Sequence, residues 1–520
     1  MRKFYRIFLV VVMVFLLGVG SLHLWRGDIW FHADVARDFL VMDEMVETGK
    51  LTLIGPKSGG IAGVFHGPAW YYLNLPMFVM VGGSPAAMGV WWMVMYVASL
   101  GVSFYLIKKR QGMDIALLAT TLLMCLTVFL AGRMLQSTPA MFLIMPSWYC
   151  LSEYLASKKA RWLLGGVFLL GMMVQFQMAL GVPVLLGVGL YLVYFMVKNK
   201  LWRHLWCLGI MLIPLSTFVV FDLRHDFLQT RSAVRYLAEG DRDNSEAFEL
   251  INYLRLRGQA LVGGFTLLPF SSQVWRGGGA MAGIILVVAS GRLLMEREEE
   301  TEVMRASIWL GLLMVGSFWI FTIPFRGEIR SYYYDNLWPI ICLLAAMAID
   351  KYKALKILAM GMIVVNVGRI GIMGADYWKQ DAKENIERWT FYGAMARDVM
   401  ENAEGKEFGY FAWTADQLGY GSKYAMKYWG KRYDMVVYPY EKREITYLLI
   451  APNEATYNPD ANPDYWQKSQ VRIEREADGE WKYESDLYQG DGFRVKRYNL
   501  DEEERGVAAD ENLIKGLEFR

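Results

Sequence analysis

Apolar stretches long enough to cross a bilayer recur from the N-terminus to about residue 373, and that recurrence decides the class of fold. A helical span needs roughly 20 predominantly apolar residues. Such stretches lie near 4–24, 86–107, 113–131, 139–156, 162–179, 181–197, 203–221, 278–294, 305–323, 336–349 and 355–373. The expectation is a polytopic α-helical membrane protein with about eleven transmembrane helices. The opening "MRKFYRIFLVVVMVFLLGVGSLHLW" begins like a signal peptide. Its apolar run is long, and no A-x-A-like site closes it, so it reads as a retained first span.

Composition excludes an ordinary soluble enzyme: the 520 residues are 55% hydrophobic, with mean hydropathy +0.22. The 20% of charged residues require substantial chain outside the lipid. The formal charge of +2 conceals a split. Residues 374–520 carry 21 Lys and Arg against 29 Asp and Glu, leaving 33 against 23 for residues 1–373. A basic membrane domain over 1–373 and a separate acidic domain over 374–520 follow, with the boundary near Gly374. Cys125, Cys150, Cys207 and Cys342 all lie in apolar runs with no metal-ligand spacing, and read as small buried hydrophobes.

The basic clusters "KKR" (108–110), "SKKAR" (157–161), "KNK" (198–200) and "DKYKALK" (350–356) fall on the same side as the N-terminal "MRK". The positive-inside bias makes that side the cytoplasm of a plasma membrane. Loop 25–68, the segment at about 222–277 and the C-terminal domain then lie outside, where function is to be sought.

The first outer loop contains "FHADVARDFLVMDEM" (31–45). Asp34, Arg37 and Asp38 fall at i, i+3 and i+4, one face of a helix, while Val35, Phe39, Met42 and Val46 mark an apolar face. An amphipathic helix at the membrane surface is expected. Beyond Gly-rich turns, Pro68–Val81 is about 14 residues, too short for a span, and reads as a re-entrant or interfacial helix. The 222–277 segment places Arg224, His225, Arg231, Arg235, Arg255 and Arg257 among apolar residues at helical spacing. After Gly374, "KENIERWTFYGAMARDVMENAEG" and "ADQLGYGSKYAMKYWGKR" read as helices. "FGYFAWT", "DMVVYPY" and "ITYLLIAPN" read as strands of a small α/β domain, and a charged, frayed end is expected from Asp501. No fixed-period repeat, P-loop, HExxH or nucleophile elbow occurs.

A first span, an outer loop opening on "ADVARD", then "HGPAWYYL", resembles the C-superfold glycosyltransferases, specifically family 39. That family includes protein O-mannosyltransferases and the transferase that adds aminoarabinose to lipid A. "AGRMLQSTP" and the basic-aromatic "FRGEIRSYYYDNLWPI" are further similar elements. The similarity covers roughly residues 1–150 and 320–350. Val35 stands where the family's second acid would be. The Trp-Trp-Asp-Tyr-Gly signature of oligosaccharyltransferases is absent, which argues against transfer of a preassembled glycan to Asn.

The resemblance implies transfer of a sugar from a polyprenyl-phosphate donor to a hydroxyl of a lipid, glycan or protein acceptor, at the outer face of the membrane. No nucleic acid is implied. Asp34 would take the proton of the attacking hydroxyl, with Asp38 holding Arg37 or orienting the acceptor. Arg133 and Arg330, and less directly Lys57, would hold the leaving phosphate. Trp70, Tyr71, Tyr72, Tyr332 and Tyr333 would line the sugar and lipid path. Plainer readings stand beside these: a salt-bridged connector for Asp34 and Arg37, headgroup anchoring for Arg133 and Arg330, and an interfacial belt for the tyrosines. The sequence points to no certain cofactor and leaves a divalent metal open. A divalent metal has candidate ligands only in His66 with Asp34 or His225. A lipid or glycan transporter is the rival class, but it would carry ionisable residues within its spans, and here the charge gathers in the loops.

Overall fold

A computed structural model describes residues 2–58, 60–239, 250–267, 273–295, 302–380, 385–413, 419–451, 485–490 and 493–508. The chain divides into two compact units. The first comprises 1–22, 51–74 and 92–375; the second comprises 23–50, 75–91 and 376–520.

The first unit is helical. Each apolar stretch expected to span falls on a helix, from Arg2–Gly20 to Lys353–Lys379; the 203–221 stretch opens as a 3-10 helix, Trp202–Met211. Among the described residues, six helical segments are long and apolar enough to cross a membrane, and three shorter apolar helices accompany them. The composition of Trp338–Lys351 shows why it sits at the centre of its unit: Pro339 through Ile349 are all buried. All four cysteines are free, with Cys125 and Cys342 fully buried.

The second unit is built on a five-stranded sheet of β1 (Phe408–Trp413), β2 (Val437–Pro439), β3 (Ile445–Ile450), β4 (Ser485–Gly490) and β5 (Phe493–Asn499). The order is β2-β1-β3-β5-β4, with β1 parallel to β2 and β3, and β5 antiparallel to β3 and β4. Every residue of β3 is buried, as a central strand with both faces covered requires. Helix Trp389–Asn402 ends before a turn in which Gly405 takes φ 79°, a conformation only glycine reaches without strain. Asp501 caps a short helix, Glu502–Gly506, in place of the expected fraying; residues 509–520 of that end lie outside the described residues. The β4–β5 hairpin adds two strands beyond the three expected from the sequence.

Segments 23–50 and 75–91 pack with the C-terminal part in this unit. The backbone at 29–31 pairs with 387–389: Phe31 N–H donates to the Glu387 carbonyl (2.6 Å), and Trp389 N–H to that of Ile29 (3.0 Å). Asp28 is buried, accepting from Arg388 (3.2 Å) and from Thr390 N–H (3.0 Å). Phe31 and Phe39 sit edge-on in a cluster with Tyr424, Trp389 and Phe78.

Candidate active site

In the second unit, the expected amphipathic helix runs from Ala33 to Thr48 and stops at Gly49, which takes φ 66°. His32 caps its start: Nδ1 accepts from the N–H groups of Asp34 (3.0 Å) and Val35 (3.4 Å). That bond needs a neutral imidazole, and burial holds the His32 pKa below its ordinary value, against the pull of Asp34. Val35, Phe39 and Met42 are buried as the pattern requires. Val46 is instead exposed, because Lys427 and Lys431 hold the last turns through Asp43 and Glu47 (2.6–2.9 Å) rather than through the apolar face. For Glu47, desolvation would raise the pKa, but the two lysines outweigh it and lower it.

Arg37 bridges the two acids. Its Nη1 donates to Asp34 (2.6 Å), while Nη2 and Nε donate to one oxygen of Asp38 (2.9 and 3.2 Å). The carboxylates are not equivalent: the Asp34 side chain is 55% exposed and that of Asp38 only 4%. The pairing that a connector would show is therefore present. Its geometry also leaves Asp34 open to solvent on a helix whose start, middle and end are each tied down.

In the first unit, a short bridge between 55–58 and 64–67 places Lys57 and His66. Lys57 is exposed and makes no side-chain hydrogen bond or ion pair among the described residues, whereas His66 is buried. Gly67 is fixed by space, since a Cβ there would collide with the Gln175 side chain. In helix Ala69–Met80, Trp70 and Tyr71 are buried, while Tyr72 is half-buried and donates to the Thr52 carbonyl. No group of three or more His, Cys, Asp or Glu side chains suited to a metal occurs among the described residues.

Arg133 ends the 3-10 turn Leu130–Arg133 between two helices. The residue is exposed, although neighbouring protein partly desolvates its guanidinium. It makes no side-chain hydrogen bond among the described residues, and burial lowers its pKa against the pull of Asp335. Asp335, at the start of the turn Asp335–Leu337, also has no side-chain hydrogen bond among the described residues. Burial pushes its carboxyl up to about 8, against the opposing effect of Arg133. Sequence reasoning passes over Asp335, an isolated acid in an aromatic run; its one signal is its place within "SYYYDNLWPI".

Arg330 precedes the short helix Ser331–Tyr334. It is exposed and lines a cavity of about 950 Å³ with Arg255, Gln259, Glu328, Tyr332 and Tyr334. Arg257 secures one wall, donating to Thr322 Oγ1 (3.1 Å) and to the carbonyls of Thr322 and Phe325. Tyr333 is buried edge-on to Tyr332. The structure thus gathers Arg330 and Tyr332 in one cavity and sets Arg133 within electrostatic reach of Asp335.

No protein-family model matches the sequence, and no curated protein does. Among solved structures, the chain is similar to ArnT from Cupriavidus metallidurans bound to undecaprenyl phosphate, with TM-score 0.58, 10% identity, and coverage of 95% of this chain and 98% of that one. The apo state of the same protein matches with TM-score 0.57, 11% identity, and coverage of 97% and 98%. The Archaeoglobus fulgidus oligosaccharyltransferase with zinc and sulfate matches more loosely, with TM-score 0.46, 11% identity, and coverage of 83% and 62%. At these identities the ArnT likeness establishes the fold. The resemblance to C-superfold glycosyltransferases expected from the sequence is borne out at that level.

Proposed function

We propose that this chain is a membrane glycosyltransferase that moves a sugar from a polyprenyl-phosphate carrier to a hydroxyl acceptor. The observation that carries this reading is a fold shared over 95% of the chain with ArnT, a protein crystallised with undecaprenyl phosphate. The chain's own chemistry agrees with the demands of such a donor. Its headgroup is anionic, and the leaving phosphate gains charge as the glycosidic bond breaks, so fixed cations must meet it. Arg133 is assigned that role, because it is exposed, sits in a turn between two helices and has no hydrogen-bonding partner for its side chain among the described residues. Lys57 and Arg330 are assigned supporting roles on the phosphate, and Tyr72, Tyr332 and Tyr333, with Trp70 and Tyr71 packed behind, the walls of the lipid and sugar path. Asp34 is the base that takes the acceptor proton, and Asp38 keeps Arg37 in place.

The basic clusters support a topology of about eleven spans with the N-terminus in the cytoplasm. Transfer then occurs at the outer face, and the 374–520 domain lies outside, where it serves acceptor capture. The donor is a hexosyl or pentosyl polyprenyl phosphate, and the acceptor a lipid, glycan or protein hydroxyl. Purified protein given a polyprenyl-phosphate sugar labelled in the sugar tests this directly. Release of the label from the carrier, dependent on an added hydroxyl acceptor, is the expected result. Movement of intact labelled carrier across vesicles without release would overturn the enzyme reading in favour of a transporter.

A further inference from the structure

A second recess lies within the first unit, where the ends of several helices meet. It measures about 400 Å³ and is lined by the first turn of Arg2–Gly20, the start of Met113–Thr127, the end of Trp338–Lys351 and the start of Lys353–Lys379. Its chemistry is divided. Arg2, Lys353 and Lys356 stand with Asp114 and Asp350, whereas Phe4, Ile357 and Met360 supply an apolar wall.

The charges do not cancel. Asp114 accepts from both Arg2 (2.6 Å) and Arg6 (2.5 Å), and Asp350 pairs with Lys356 (2.6 Å). Lys353 is left with no ion pair or side-chain hydrogen bond among the described residues, so four cations face two carboxylates. A second, independent observation comes from Tyr5. It lines the recess, is only 7% exposed, and its hydroxyl has no hydrogen-bond partner among the described residues. A buried hydroxyl left without a partner is unfavourable, so an occupant that accepts from it is favoured. Surplus positive charge and an unsatisfied donor both call for an anion. Phe4 and Ile357 are exposed on the outer side, as a surface facing acyl chains would be. Two of the helices involved, Arg2–Trp25 and Lys353–Lys379, are among those long and apolar enough to span. Their ends therefore fall at headgroup depth.

We propose that this recess binds an anionic phospholipid, its phosphodiester held by Lys353 and the Tyr5 hydroxyl and one acyl chain lying along Phe4, Ile357 and Met360. The proposal rests on the reading that these helices cross a membrane, and not on the sugar-transfer reading. It uses none of the residues assigned to that reaction. Basic pockets between spans are a general means of recognising such headgroups.

The test is lipid retention by the full chain in nanodiscs of phosphatidylcholine, with or without phosphatidylglycerol, read by native mass spectrometry after release. The wild type is expected to retain phosphatidylglycerol over phosphatidylcholine. Lys353→Gln and Tyr5→Phe, which keep chain length and ring, should each weaken retention about fivefold, the effect of roughly one headgroup contact. Lys353→Arg should restore it. An unchanged melting midpoint in phosphatidylcholine alone shows that the variants fold, and sugar release by them should match the wild type. Equal retention by wild type and Lys353→Gln, or by Tyr5→Phe, would overturn the proposal. So would saturable binding of glycerol 3-phosphate that displaces no lipid, since the site would then be for a soluble phosphate. Absence of sugar release in all proteins, with selective retention intact, would overturn the function and leave this site standing.

Discussion

The unequal exposure of the two carboxylates on Arg37 makes Asp34→Asn and Asp38→Asn a discriminating pair. Asp34 reaches Arg37 at 2.6 Å, but its side chain is 55% exposed, so water screens the pair. Ion pairs of that kind contribute about 0–1 kcal/mol. Asn at 34 keeps the shape and can still accept from Arg37, and the His32 cap on the helix start does not use the Asp34 carboxylate. Stability should therefore fall by less than about 1 kcal/mol. What Asn cannot do is take a proton at neutral pH, and transfer should drop on the order of 10²- to 10⁴-fold with donor affinity unchanged. Asp38 is the reverse case. Its side chain is 4% exposed and accepts two of the Arg37 bonds. Asn at 38 can also accept, but it removes the buried countercharge of a mostly buried guanidinium, a loss of up to about 3 kcal/mol by analogy with broken buried pairs. Turnover by the surviving folded Asp38→Asn protein should fall less than in Asp34→Asn. Chemical denaturation and single-turnover sugar release measure the two quantities separately. The reasoning is refuted if Asp34→Asn keeps near-normal turnover while Asp38→Asn abolishes it, and the catalytic role of this helix is refuted if neither matters.

Other consequences can be checked with the same preparations. Arg133→Gln should weaken binding of undecaprenyl phosphate about 10²-fold, the effect of losing a charged hydrogen-bonding partner, with no change in melting midpoint; unchanged affinity by calorimetry would remove Arg133 from the donor site. Asp335 keeps its proton in the folded state up to about pH 8, while the unfolded chain releases it in the ordinary carboxylate range. The folded state then binds more protons between those limits, so stability should fall with rising pH by up to about 1.4 kcal/mol per unit. Asp335→Asn should flatten that slope, and an identical slope in the variant would show that another group sets it. Asp28→Ala should cost about 3 kcal/mol, because it removes the buried countercharge of the mostly shielded Arg388 side chain and the acceptor of the Thr390 N–H; a loss below about 1 kcal/mol, read by urea unfolding, would contradict that packing.

Much of the membrane part was legible because it rests on one local quantity, the length of apolar runs, and each run is helical. The acid-bearing helix was legible for a similar reason: Asp34, Arg37 and Asp38 meet through spacing alone. What pattern could not supply were relations between distant residues. Val46 belongs to the apolar stripe by period and is exposed, because the partners of that turn are Lys427 and Lys431, some 380 residues on. Asp335 acquires its chemistry from Arg133 and from burial, neither of which a lone acid among tyrosines announces. The β4–β5 hairpin escapes a reading by pattern because β5 presents as alternating charge, "FRVKRYN", although Phe493, Val495 and Tyr498 are buried.

The same limit bears on how the C-terminal region is to be tested. The charge shift at Gly374 marks where the chain changes character; it does not disclose which earlier segments pack against the residues beyond it. In the structure, Phe31 and Phe39 lie against Tyr424, Asp28 against Arg388, and Asp43 and Glu47 against two lysines of helix Tyr420–Tyr433. Removing residues 374–520 would expose two aromatic rings, strand a buried carboxylate and free the helix that carries Asp34. Truncation should therefore abolish turnover by unseating that helix, whatever the C-terminal domain does for the acceptor. The finer perturbation is Lys427→Gln with Lys431→Gln, which releases the last turns while leaving the aromatic cluster in place. The two pairs on Glu47 are exposed and contribute about 0–1 kcal/mol each, and glutamine keeps a hydrogen-bond donor for the more shielded Asp43, so the protein should remain folded. If the C-terminal region serves chiefly to position the Asp34 helix, the double variant should lose turnover several-fold at unchanged acceptor affinity. If its role is acceptor capture alone, turnover at saturating acceptor should be untouched.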